Sequence, residues 1–118
     1  MIKISLDEAY VFDILSIYQV KINNFDGEKL EITLSAMSDL VEEIIEQIGI
    51  LKYNEVISSR EYQELVKANQ KVFSLVDIVR NDTGLAKQAD DANYERYLMK
   101  IDLQKKFFNN NLKEMKNK

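Results

Sequence analysis

The sequence predicts an all-α protein, a four-helix antiparallel bundle closed by a long C-terminal helix. Three observations carry this. The 118 residues contain no proline and only three glycines, so regular structure is seldom interrupted. Apolar residues recur at helical spacing over four long stretches. Turn-forming clusters, NNFDG and NDTG among them, separate some of these stretches and set short antiparallel connections.

The first helix is the central rod. Eleven of the seventeen residues from Leu6 to Ile22 are apolar and surround the helix, which predicts burial on all sides. Ser5 and Glu8 have the spacing of a capping box, so the helix is expected to start there. Asp13 is its anomaly, because it falls among Leu6, Ala9, Tyr10, Ile17 and Val20, where a carboxylate loses its water and needs a partner.

Glu28 to Gln47 reads as an ordinary amphipathic helix stopped by Gly49. Leu30, Leu34, Met37, Leu40, Val41, Ile44, Ile45 and Ile48 share one side, and the acidic residues spread over the other. Ile50 to Ser58 carries no clear period and stays unassigned. Ser58 and Glu61 form a second capping box, opening a third helix that runs to about Asn81. Gly84 is a stop, Asp82 or Thr83 a cap, and a fourth helix of some 25 residues runs from Leu85 to about Asn109, near ~38 Å long. It has two apolar faces. Tyr94, Tyr97, Leu98, Ile101 and Phe108 form one; Leu85, Ala89, Ala92, Leu103 and Phe107 form the other. Two faces need two neighbours, within the chain or in a second subunit, so a homodimer is one expected partner. Residues 1–112 are expected to make a single helical-bundle domain and 113–118 a frayed basic tail.

Composition excludes much chemistry. There is no cysteine and no histidine, which removes disulfides, thiolate nucleophiles, histidine bases and most zinc sites. No metal site and no cofactor is expected. The N-terminal sequence lacks the pattern of a signal peptide and no stretch suits a membrane span, so a cytoplasmic location is expected. Net charge is −4, but residues 100–118 hold six lysines against Asp102 and Glu114, leaving −8 on the remainder. With no aromatic-lined basic groove, this reads as a solvated helix end rather than a nucleic-acid surface.

Several polar residues fall on apolar sectors: Asp13 and Lys21 on the first helix, Asn69, Asp77 and Arg80 on the third, and Asp91, Asn93, Arg96 and Lys100 on the fourth. Arg80 or Arg96 is the natural partner of Asp13, since a guanidinium can satisfy a carboxylate with two parallel hydrogen bonds. Cations in this set outnumber anions. Two readings follow: a closed structural network, or a pocket at Asp13, Lys21, Asn69, Asp77, Arg80, Asn93, Arg96 and Lys100 for a small anionic ligand, a carboxylate or phosphate.

Glu42, Glu43 and Glu46 spell EExxE, and in this they resemble MazG-type nucleoside triphosphate pyrophosphohydrolases, whose helices hold magnesium with EExxE and a later ExxD. The ExxD is missing here, and Glu42 and Glu46 point away from the apolar face. The stretches DILSIYQVK, LVKANQKVFSLVDIVR and LAKQADDANYERYLMK, in that order, resemble three blocks of a small all-α bacterial family of unknown function. This chain departs from it at Phe73, Ser74 and Asp91-Ala92-Asn93. That resemblance implies a block structure and no activity.

Overall fold

A computed structural model describes residues 2, 5–79 and 86–110, and of 76–79 and 86 the backbone alone. It is all-α among these residues. The helices are α1 (Glu8–Asn24), α2 (Gly27–Ile48), α3 (Ile50–Ile57), α4 (Arg60–Val79) and α5 (Ala86–Phe108). The expected third and fourth helices are therefore α4 and α5, and the unassigned stretch after Gly49 is a short fifth element. Its eight residues are too few to display a period, yet Val56 is fully buried and holds the turn of helix in place. The expected boundaries near Asn81, Asp82, Thr83, Gly84 and Leu85, and the expected tail 113–118, lie outside the described residues.

α1 is the central rod, packed against α2, α4 and α5. Its buried residues are Ala9, Phe12, Asp13, Leu15, Ser16 and Val20, drawn from several sides of the helix. Side-chain contacts give the directions. Phe12 meets Tyr62 edge-on at 6.2 Å and Phe25 meets Phe73 at 6.1 Å, so α1 and α4 run the same way. Lys106 bridges Glu61 while Lys71 bridges Glu95, so α5 returns antiparallel to α4. α2 folds back along α1 and leads through α3 to α4.

The core sits where these helices converge, around Phe12, Leu15, Val56, Tyr62, Leu65 and Leu103. Phe108 stacks on Phe12 at 6.2 Å, and the Lys52 ammonium lies 5.5 Å from the Phe107 and Phe108 ring centres, tying α3 to the end of α5.

Helix ends differ from the expected caps. α1 starts at Glu8, not Leu6, and its N-cap is Asp7, whose side chain makes no capping bond; the Ser5–Glu8 box does not form. The Ala9 N–H instead donates to Gln104 Oε1 on α5 at 2.8 Å, so a tertiary contact replaces the local one. The second cap lies one residue on. Ser59 Oγ accepts the Tyr62 N–H at 3.1 Å, because Ser58 still closes α3, donating its N–H to Asn54 O. Gly49, with φ +87°, ends α2 as expected. Asn109, with φ +57°, follows the last residue of α5 in the same left-handed role.

Tyr62 sits in the core and burial pushes its phenol well above the usual tyrosine range, with Tyr53 adding to the rise. The folded state therefore keeps this proton where the unfolded chain loses it. The associated stability is complete below about pH 10 and declines above it by up to about 1.4 kcal/mol per pH unit. Urea denaturation between pH 9 and 12 (a range set by the ordinary tyrosine pKa of about 10) should show this decline, and Tyr62→Phe should flatten it.

Candidate functional site

The Asp13 carboxylate is the centre of a cluster joining α1, α4 and α5. It is 1% exposed. Two residues of α5, Arg96 and Lys100, are one turn apart and share the face that meets α1. Arg96 grips the carboxylate as a fork: Nη2 donates to Oδ2 at 2.8 Å and Nε to Oδ1 at 3.1 Å. From α4, Asn69 Nδ2 donates to the same Oδ1 at 2.9 Å and, with its other hydrogen, to Ser16 Oγ at 2.6 Å. Ser16 in turn donates to the Asp13 main-chain carbonyl at 2.7 Å. Lys100, 2% exposed, places its ammonium 4.0 Å from Oδ2 and 5.3 Å from the centre of the Tyr10 ring.

Of the residues expected to gather, Asp13, Asn69, Arg96 and Lys100 do so. Among the described residues, Arg96 is the guanidinium that partners Asp13. Asn93 stands at the outer rim of the cluster, against Arg96. It is exposed, its Nδ2 bonds back to Ala89 O, and its Oδ1 lies a loose 3.4 Å from Arg96 Nη1. One residue past the buried Ala92, it has turned 100° away from the buried face. Asp91 is exposed for a similar reason. Lys21 is half-buried near the end of α1, and its ammonium makes no ion pair with any described residue. Arg80 and the Asp77 side chain lie outside the described residues.

A second buried polar node went unread in the sequence. Gln104 is fully buried; besides capping α1, its Nε2 donates to Glu8 Oε2 at 2.9 Å and to Asn110 Oδ1 at 2.6 Å. The signal was available, since Gln104 stands one turn beyond Lys100 on the same face.

Chemically, the cluster is closed. Both Asp13 oxygens accept from cationic or amide donors, and among the described residues no buried side-chain nitrogen or oxygen lacks a partner. A carboxylate held this way is poorly placed to act as a base or nucleophile.

Two surface features lie outside it. Between α4 and α5 is an open groove of about 600 Å³ where Arg60, Lys105 and Lys106 face Glu61, Glu64 and Asp102, so its charges cancel. There the Lys106 hydrogen bond, at 2.7 Å, holds Glu61 below the usual carboxylate range. Between α1 and α2 lies a groove of about 460 Å³ floored by Leu6, Val11, Phe12, Leu40, Ile44 and Ile48 and edged by Glu8 and Glu43. Glu42, Glu43 and Glu46 stand exposed on α2, and among the described residues no three acidic groups gather closely enough to hold a metal ion.

The fold and cluster thus define a small all-α protein with an ion pair at its centre. No family model, no curated protein and no solved structure matches the chain.

Removing one partner of the central pair leaves an uncompensated buried charge. Arg96→Met should cost about 3–5 kcal/mol in urea denaturation. Arg96→Lys should recover only part of it, because an ammonium cannot reproduce the two-pronged contact.

Proposed function

We propose that this chain is a helical interaction module that receives a partner on the face formed by α1 and α2. In this reading the four long helices form an antiparallel bundle with α3 as a connector, and the Asp13 cluster is its internal lock. The observation that supports the reading is the poor cover of α2. Of the eight apolar residues on its inner side, Ile44 alone is buried; Leu34 is 47% exposed, and the others are half-buried. Leu51, on the adjoining α3, is 84% exposed. Apolar surface left this way on several neighbouring elements marks a contact site. A cytosolic setting fits the absence of cysteine, and among the described residues no helix is long and apolar enough to cross a membrane.

A photo-crosslinker placed at Leu34 or Leu51 in cells tests the proposal, with Lys67 on α4 as control. A discrete product at the first two positions and none at Lys67 is expected. Equal labelling at all three would contradict it.

One observation favours a second reading, the small anionic ligand. The outward nitrogen of Arg96, Nη1, has a single loose contact to the exposed Asn93, and a quarter of the side chain meets solvent. Titration with inorganic phosphate should then shift the side-chain NMR signals of Arg96 and Asn93 while leaving Asn69 unmoved. No shift at either would set this reading aside.

A further inference from the structure

The charge of α2 identifies the kind of partner its face would take. From Gly27 to Ile48 it holds six acidic residues, Glu28, Glu31, Asp39, Glu42, Glu43 and Glu46, against the single Lys29. That helix alone carries −5, more than the −4 of the whole chain, so the rest of the protein is close to neutral. All six acidic side chains are exposed; Glu43, with Glu8 of α1, edges the groove, and together with Asp39, Glu42 and Glu46 it lines a second surface depression on α2. The partly covered apolar floor thus has carboxylates on its edge and further negative charge on the same helix.

We infer that the α1–α2 groove binds a cationic amphipathic helix of a partner protein, its apolar residues seated between Leu6, Val11, Leu40 and Ile48 and its lysines or arginines set against Glu8 and Glu43. This deepens the docking reading and rests on it. The dimensions agree. Leu40 to Ile48 spans about 12 Å of helix, the distance covered by partner residues spaced i, i+4 and i+8. Charge also separates the occupants. A second copy would bring another −5 helix against the first, and an anionic lipid surface would be repelled likewise, whereas a basic helix is drawn in and its encounter accelerated.

The test uses the full chain and a fluorescent amphipathic peptide of about five helical turns, with leucines on one face and lysines on the other. A matched peptide carries glutamate in place of lysine. Fluorescence anisotropy at low salt should show the lysine peptide binding roughly tenfold or more tightly than the glutamate one, and weakening as salt rises. Glu43→Lys and Leu6→Asp should each weaken it by roughly tenfold. Leu40→Gln serves as a second floor variant, and circular dichroism confirms that each variant is folded.

If both peptides bind alike and Leu6→Asp releases both, the docking face stands and the cationic partner is overturned. If the lysine peptide responds to Glu43→Lys but to neither floor variant, the contact is bare charge attraction, and docking and partner class fall together. Binding by neither peptide has the same meaning. Self-association in sedimentation that Leu6→Asp abolishes would give the face to a second copy, and uptake by phosphatidylcholine vesicles would give it to lipid; each overturns the inference.

Discussion

A negative charge sealed inside the protein is the constraint on which this structure depends. Asp13 has almost no contact with water, and a carboxylate in such a place is tolerated only when charged or amide donors surround it. The donors come from two other helices, Asn69 on α4 and Arg96 with Lys100 on α5. Three segments distant in sequence must therefore meet in one relative alignment. Sliding α5 by one residue would swing Arg96 through 100° and strand the carboxylate. The pair need add little net stability, since desolvation offsets much of its attraction, but misalignment is penalised heavily. The apolar contacts of Phe12, Tyr62, Leu65 and Leu103 supply bulk attraction; the polar contacts decide which alignment those residues adopt.

Gln104 extends the same logic to the other end of the α1–α5 contact. An amide with no access to water satisfies the buried Ala9 N–H in the first turn of α1 and is itself satisfied by Glu8 and Asn110. Together the two nodes fasten α1 to α5 at points just over two helical turns apart along α5, from Arg96 to Gln104. No comparable polar contact ties α2 to α1 among the described residues. α2 is held by apolar contact and by the turn at Gly49, which leaves its apolar side partly open. The molecule thus has a firmly specified side and a lightly covered one, and the functional proposal follows from that asymmetry.

Much of the centre was legible in the sequence for a simple reason. Asp13, Asn69, Arg96 and Lys100 each interrupt an apolar sector, and helical periodicity converts such interruptions into buried polar positions. Asn93 borders the sector, where a 100° step decides between inside and outside, and it lies exposed against Arg96. Gln104 was overlooked although it carries the same kind of signal one turn further on. The caps were harder. Ser5–Glu8 has the right spacing, but a buried amide from α5 supplies the bond, and nothing local announces that. Ser58 and Ser59 are adjacent, and the choice between them depends on where α3 ends, which eight mixed residues do not reveal. Nor does amphipathicity tell how many neighbours will cover a face: the apolar stripe of α2 was plain, its partial cover was not.

The most direct test of the central claim is a double-mutant cycle on Asp13→Asn and Arg96→Met, read by urea denaturation at neutral pH. If the buried pair aligns the helices, the two residues are strongly coupled and the cycle should return an interaction energy of about 2 kcal/mol or more. A coupling below about 0.5 kcal/mol, the range of independent sites, would mean that the helices are aligned without this contact.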